Sequence, residues 1–355
     1  MSAVSQSVIP VFDGHNDTIL RIRDGSTRFF EENADGHIDL PRARRGGLAG
    51  GFFAVWVPDD AVPMDASSPT DSPYGDPSTL PPMMSTESAQ HYALASLGRL
   101  LRLERESNGQ VAIVRTVEEM RTAIENGTFA LELHFEGAEP IDTDLDALEV
   151  FYAAGIRSIG LVWSRSNLFG HGVPFQFPGS PDSGPGLTDA GKALVRRCNE
   201  LGIMLDVSHL NEKGFWDLAE ISSAPIVATH ACAHAICPST RNLTDKQLDA
   251  IKDSDGIVGL NFHVGFLHPE GDRDPANTNV QMMANQLDYL VEKIGIDRVA
   301  LGSDFDGAVM PGDLKDSAGL PVLIDELRGR GYDEESLLKI GYRNWLRVLG
   351  QTWKA

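Results

Sequence analysis

Residues 11–20, VFDGHNDTIL, place a histidine and an aspartate two positions apart, at His15 and Asp17, after a short apolar run. Residues i and i+2 of an extended chain point to the same side, so both side chains could face one cation. An ordinary loop is the competing interpretation, because Asp and Asn are common turn formers. Whether His15 and Asp17 bind a metal therefore depends on which groups the rest of the chain brings beside them.

Other apolar runs also end in groups that can bind a metal or move a proton. They end in Glu136 within LHFEG, His209 within DVSH, His230 within VATH, and Asp304 and Asp306 within GSDFDG. Each of these residues alone could equally be a hydrogen-bonded core residue or part of a turn. Their recurrence at the ends of several runs favours a shared metal centre.

The ligand types narrow the choice of metal. Imidazole mixed with carboxylate suits zinc, and manganese, cobalt and iron also accept such ligands. Five ligands exceed the three that a catalytic zinc usually takes, and they suit two metals about 3.5–4 Å apart. Glu136 lies between the His-X-Asp pair and the two later histidines in strand order, so we expect it to bridge the metals. Two cations that share a water lower its pKa and supply a hydroxide nucleophile.

Eight short apolar runs rich in β-branched residues must position these groups. Continuous rather than alternating apolar character is typical of parallel strands buried on both faces. Helix-like segments that start near Thr or Asp and end at Gly, such as TDAGKALVRRCNELG, lie between the runs. Eight strand-then-helix units predict an α/β fold, a (β/α)8 TIM barrel, whose strand ends meet on one face. A doubly wound open sheet is the alternative. The runs are VIPVFDGH, LAGGFFAVWV, FALELHFEG, IRSIGLVWS, GIMLDVSH, PIVATHA, GIVGLNFHV and RVALGSDFDG.

Two long stretches rich in Pro, Gly and Ser follow the second and fourth predicted strands, at residues 58–84 and 170–187. In a barrel both lie on the face where active sites are built, so we expect them to cover the substrate. Disordered insertions are the alternative. The sequence shows no internal repeat, and we expect residues 1–355 to form a single domain.

Composition excludes several classes of partner. The formal net charge of −21 disfavours nucleic acid and anionic membranes, which are bound by Lys and Arg. Three cysteines do not make a disulfide framework and are compatible with a reducing compartment. We find no convincing signal peptide and no apolar run long enough to span a membrane, so we expect a soluble, cytoplasmic protein.

The whole pattern resembles the membrane (renal) dipeptidase family of zinc peptidases, within the amidohydrolase superfamily. The residues that carry the resemblance are His15, Asp17, Glu136, His209, His230, Arg241 in PSTRN and Asp304. The resemblance implies two zinc ions per subunit, one bound by the His-X-Asp pair and Glu136, the other by Glu136 and the two later histidines. It also implies that Arg241 binds the free carboxylate of a dipeptide, which a guanidinium can do bidentately. Asp304 would pass a proton to the leaving amine and could pair with the substrate's ammonium.

One departure from the family lies after the fourth predicted strand, where members carry a histidine that polarises the scissile carbonyl. Here the segment reads GLVWSRSNLFGHG, with Trp163 or Ser164 at that place. Losing one such donor typically costs a few kcal/mol, so we expect a replacement. We expect Trp163 and His171 to contact the substrate, and His171 to be the replacement donor. Arg165 and Asn167 are alternative donors. The competing interpretation of His171 is an ordinary loop histidine without a catalytic role.

Together these features predict a binuclear zinc dipeptidase that hydrolyses the peptide bond of dipeptides through a metal-bridging hydroxide. Another amidohydrolase with the same ligands, such as an N-acyl-amino-acid deacylase or a lactonase, is the nearest alternative. A non-catalytic metal-binding barrel is a third. The expected partner is a small dipeptide, with neither nucleic acid nor membrane, and a homodimer is left open.

Overall fold

A computed structural model describes residues 8–24, 28–58 and 80–354 of the chain. The described residues form nine strands, of which eight follow one another in parallel around a nearly closed barrel. The strands are β1 (Val11–Asn16), β2 (Leu48–Trp56), β3 (Val111–Ile113), β4 (Phe129–Glu136), β5 (Ile156–Gly160), β6 (Met204–Asp206), β7 (Val227–Ala231), β8 (Ile257–Leu260) and β9 (Val299–Leu301).

The barrel runs in the order β1-β2-β4-β5-β6-β7-β8-β9, and a parallel bridge between Asn16 and Phe305 joins its two ends. This confirms the predicted (β/α)8 architecture and all eight strands. The remaining strand, β3, pairs only with the start of β4 and was not predicted. Three residues are too few to show a periodicity in the sequence.

Helices separate most strands, and their ends follow the capping signals of the sequence. Thr188 caps the helix Asp189–Leu201 by accepting a hydrogen bond from the backbone N–H of Gly191, and Gly202 ends this helix in a left-handed conformation, with φ of 76°. The helices are α1 (Thr18–Asp24), α2 (Leu40–Gly46), α3 (Thr86–Glu106), α4 (Val117–Glu125), α5 (Asp146–Ala154), α6 (Asp189–Leu201), α7 (Glu212–Ile221), α8 (Asp245–Asp253), α9 (Val264–Leu267), α10 (Val280–Ile294), α11 (Leu320–Gly329), α12 (Glu334–Leu338) and α13 (Asn344–Thr352).

Apolar side chains fill the amino-terminal end of the barrel. Phe12 and Phe52 pack edge to face with ring centroids 5.4 Å apart, and Trp345 of α13 packs on Phe52 at 5.1 Å. All three are fully buried. The potential metal ligands lie instead at the carboxyl ends of the strands, which is where TIM barrels build their active sites.

The second predicted loop, residues 170–187, connects β5 to α6 and lies against the carboxyl end of the barrel. The backbone N–H of Val173 donates to the carbonyl of His209, and Thr240 contacts both Pro174 and Gln176. Most of the first predicted loop, residues 59–79, lies outside the described residues. No helix in the described part of the chain combines the length and apolar character needed to cross a membrane.

Candidate metal centre

Five side chains proposed from the sequence as metal ligands meet at the carboxyl end of the barrel. His15 belongs to β1, Asp17 follows it, Glu136 is the last residue of β4, His209 follows β6 and His230 belongs to β7. All five are buried. Because the strands are parallel, residues up to 215 positions apart in the sequence share one end of the barrel.

Glu136 stands at the middle of this cluster. Its Oε2 lies 3.7 Å from Nε2 of His15, and its Oε1 lies 3.0 Å from Nε2 of His209 and 3.7 Å from Nε2 of His230. His15 Nε2 is also 3.5 Å from Oδ2 of Asp17. Two groups of three potential ligands therefore share Glu136, and in each group the ligand atoms lie within 4.8 Å of one another.

The chemistry of these donors fits a pair of divalent metals. Both ring nitrogens of His15 and Oδ1 of Asp17 are buried and have no hydrogen-bond partner among the described residues. Buried polar atoms of folded proteins are nearly always paired, so atoms without a partner in a cluster of imidazoles and carboxylates indicate metal ligation. The two groups could each hold one ion and share the Glu136 carboxylate.

Electrostatics also favours cations here. Burial alone would raise the pKa of Glu136, but the charge of His15 and the close approach of His209 hold that pKa well below its ordinary value. Burial, and then the charge of Glu136, raises the pKa of Asp17 to about 8. Burial opposes protonation of His15, yet Glu136 and Asp17 outweigh it and raise the pKa of His15 well above 6.5. The carboxylates thus attract positive charge that a metal ion would supply.

His209 and His230, the two histidines that share a ligand group with Glu136, each contact a hydroxyl group through Nδ1. Nδ1 of His209 lies 2.8 Å from Oγ of Ser164, and Nδ1 of His230 lies 2.8 Å from Oγ1 of Thr229. The Thr229 hydroxyl donates in turn to Oδ2 of Asp206 at 2.6 Å. These contacts direct both Nε2 atoms towards Glu136, as hydrogen bonds to the far nitrogen do for metal-ligating histidines.

Burial keeps this second pair of histidines neutral, which is the form that binds a metal. Burial, assisted by the charge of Arg241, lowers the pKa of His209 to about 4. Burial, followed by the charges of His15 and Arg241, lowers the pKa of His230 well below 6.5. Their Nε2 atoms are 3.1 Å apart and face the same space. Neutral imidazoles aimed at a common point are suited to bind one metal ion.

Arg241 and Asp304 lie beside the cluster. Asp304 offers an oxygen within 4.8 Å of ligand atoms of His15 and His230. Arg241 is buried, its Nη2 donates to the backbone carbonyl of His230 at 3.2 Å, and its Nε has no hydrogen-bond partner among the described residues. Burial lowers the pKa of Arg241, while the charges of Asp304 and Glu136 oppose this. A buried guanidinium with a free N–H is suited to bind a carboxylate.

Asp306 faces away from the cluster. Its Oδ2 accepts from the hydroxyl of Thr18 at 2.8 Å, and its Oδ1 accepts from the backbone N–H of His37 at 2.7 Å. Arg21 lies 2.9 Å from the same Oδ1. Asp306 thus braces the first turn after β1.

The segment after β5 reaches the cluster through Trp163, which we expected to contact the substrate, and through the neighbouring Ser164. The ring of Trp163 lies 5.9 Å from the ring of His209, and Ser164 contacts the same histidine. His171 instead has its Nδ1 2.9 Å from Oγ of Ser166 and is absent from the ligand groups found in the described part of the chain.

The two other candidate donors of this segment have structural partners. Arg165 donates to the backbone carbonyl of Val57 and faces Glu139 at 3.7 Å. The side chain of Asn167 donates to the carbonyl of Leu161 at 2.8 Å.

Several residues near the cluster escaped the sequence analysis as functional candidates. Ser164, Thr229 and Asp206 are short polar residues with no distinctive spacing, and only the fold shows that they contact ligands. Asn261, which contacts Asp304, follows an apolar run just as the predicted ligands do. That position at a strand end was the one signal that could have identified it.

The chain matches the model of the membrane dipeptidase family, peptidase family M19, over residues 2–355. The chain belongs to this family. It is 48% identical to a metallopeptidase from Rhodobacter sphaeroides, whose crystal structure holds a phosphinate mimic of the dipeptide L-Ala-D-Ala; the TM-score is 0.93, with 98% of this chain and 100% of that chain covered.

Two further proteins are similar to this chain. The probable dipeptidase PvdM from Pseudomonas aeruginosa is 26% identical with a TM-score of 0.82, covering 97% of this chain and 95% of that one. An uncharacterised protein from the pqqA 5′ region of Klebsiella pneumoniae is 48% identical over 258 residues, which are 73% of this chain and 95% of the relative. The predicted family is therefore confirmed, and the chain has the fold and candidate metal-binding clusters of an M19 metallodipeptidase.

Proposed function

We propose that this protein is a binuclear zinc dipeptidase that hydrolyses the peptide bond of dipeptides. The observation that carries the proposal is the position of Glu136, whose two carboxylate oxygens face separate groups of ligands in a chain of the M19 family. His15, Asp17 and Glu136 would bind one ion, and Glu136, His209 and His230 the other. The ions would lower the pKa of a shared water and polarise the scissile carbonyl.

Arg241 would bind the free carboxylate of the substrate. Its guanidinium is buried beside β7, next to the second ligand group, so a carboxylate bound there places the adjacent peptide bond over the cluster. Trp163, whose ring lies 5.9 Å from that of His209, would contact the substrate. His171, whose Nδ1 contacts Ser166, would contact it as the replacement donor. Asp304 would accept a proton from the attacking water and donate it to the leaving nitrogen, a contribution typically worth about 10²–10⁴-fold.

Metal analysis combined with a dipeptide library of L,L, L,D and D,L stereochemistry tests the proposal. L-Ala-D-Ala belongs in the library because its mimic binds the Rhodobacter relative. We expect two metals per chain and rapid dipeptide cleavage, both lost in Glu136→Ala and in Glu136→Gln. Glu132→Gln is a matched control, because Glu132 is another buried glutamate of β4 and lies outside both ligand groups.

Two results would contradict the proposal. Full activity of Glu136→Ala would show that Glu136 does not join the two metals. Faster turnover of N-acyl amino acids or lactones, which lack a free amine, would place the protein with other amidohydrolases.

A further inference from the structure

Asn261 is a buried amide whose two ends are both fixed. It follows β8, and its Nδ2 donates to Oδ2 of Asp304 at 3.0 Å. Its Oδ1 accepts the backbone N–H of His263 at 2.6 Å, and its own backbone N–H donates to the carbonyl of Ala231 at 3.2 Å. Because the oxygen is bound to an N–H group, the orientation of the amide is settled, and its N–H group must face Asp304.

The other oxygen of Asp304, Oδ1, lies on the side of Asp17, a proposed ligand. A methyl group placed on Gly307 would lie 2.7 Å from Oδ1 of Asp304 and 2.0 Å from Oδ2 of Asp17, so both oxygens border the same point. The backbone of Asp304 is fixed as well, since its N–H donates to the carbonyl of His15 at 2.9 Å. The two side-chain torsions are then the remaining freedom of Asp304, and the bond from Asn261 restricts them.

We propose that Asn261 is a positioning residue that holds Asp304 with Oδ1 towards the reacting atoms, so that this carboxylate can protonate the leaving amine. The inference rests on the role given to Asp304 in the proposed function. In the reaction, water adds its oxygen to the carbonyl carbon, the C–N bond breaks, and the nitrogen takes up a proton that came from the water. Asn261 touches none of these atoms and acts only through Asp304.

The chemistry of the leaving group separates this role from a merely structural one. An amine leaves only when it is protonated, whereas a thiolate leaves as an anion because thiols have a pKa of about 8.5. A thioester analogue of L-Ala-D-Ala, with sulfur in place of the amide nitrogen, keeps both ends of the substrate but makes protonation of the leaving group dispensable. The metals of the proposed function would ionise the water without help from Asp304, so a misplaced Asp304 should slow the peptide and spare the thioester.

The experiment compares kcat for the dipeptide and the thioester in the metal-loaded full chain. We expect Asn261→Ala, and the isosteric Asn261→Asp if alanine impairs folding, to lower kcat for the dipeptide by about 10–100-fold. The kcat for the thioester should stay within about twofold of its value in the unmodified protein. Asp304→Ala should lower kcat for the dipeptide further and should also leave kcat for the thioester unchanged. Asn344→Ala is the control for removal of a buried amide, since Asn344 donates to the carbonyls of Ile296 and Val299 at the other end of the barrel.

The possible failures are distinguishable. If Asp304→Ala is selective for the dipeptide but both Asn261 variants slow the two substrates equally, or slow neither, the role of Asn261 is wrong and that of Asp304 stands. If Asp304→Ala lowers kcat equally for both substrates, the proton transfer assigned to Asp304 is wrong, and the role of Asn261 is then wrong as well. A selective loss in Asn344→Ala would also overturn the inference, because the effect would then follow from destabilisation.

Discussion

Replacing Ser164 with alanine tests how the metal centre is held, because Ser164 lies behind a proposed ligand. Its Oγ is 2.8 Å from Nδ1 of His209, and both residues are buried. Without the hydroxyl, Nδ1 of the metal-bound ring keeps a proton that has no acceptor, which costs about 1–3 kcal/mol. The ring of the metal-free protein can turn to another partner, so most of this cost falls on the bound state. Metal affinity should therefore fall roughly 5- to 150-fold.

Ser166→Ala is the matched control for this measurement. Ser166 lies in the same segment, and its Oγ makes an equivalent 2.9 Å contact with Nδ1 of His171, which belongs to neither ligand group. Competition with a chromophoric zinc chelator, followed for both variants and the unmodified protein, gives the affinities directly. An unchanged affinity in Ser164→Ala, or an equal loss in Ser166→Ala, would refute the reasoning.

Two further predictions concern the first ligand group. Gly307→Ala should abolish metal binding and activity, because the added methyl would lie 2.0 Å from Oδ2 of Asp17 and 2.7 Å from Oδ1 of Asp304. Gly329→Ala is the control: its added methyl would have no atom within 4 Å, so metal analysis should give the result of the unmodified protein. Metal binding at pH 7 should release at least about one proton, since the raised pKa of His15 keeps it protonated in the metal-free protein and the ligand must be neutral. Affinity should then rise with pH towards that pKa, and calorimetry in buffers of different ionisation enthalpy would detect the proton; a heat independent of buffer would contradict the prediction.

The barrel and the cluster of potential ligands were predictable from the sequence for one physical reason. Parallel strands buried on both faces appear as continuous apolar runs, and a barrel brings all their carboxyl ends together. His15, Glu136 and His230 could therefore be associated without any knowledge of distances. Their roles as metal ligands stay predictions that the experiments above address.

The residues that orient the ligands were not predictable, because their partners are distant in sequence. Ser164 contacts a histidine 45 residues away, and Asn261 contacts Asp304 across 43 residues. Serine and asparagine in loops usually bond to nearby backbone, so their types gave no indication of these contacts. His171 is the opposite case. The sequence predicted it as a substrate contact, and its Nδ1 contacts Ser166 within its own loop.

Two residues of the candidate site have a left-handed backbone conformation. His209 and Asp304 have left-handed φ values of 66° and 63°. Such a conformation costs a residue with a β-carbon about 1–2 kcal/mol, and it persists only where the surroundings fix it. Each of these residues follows a short strand, where a left-handed turn redirects the side chain towards Glu136 or His15. Five other described non-glycine residues share this conformation, Leu145 and Asp306 among them. The connection between these turns and the proposed site therefore rests on the closeness of His209 and Asp304 to the other potential ligands.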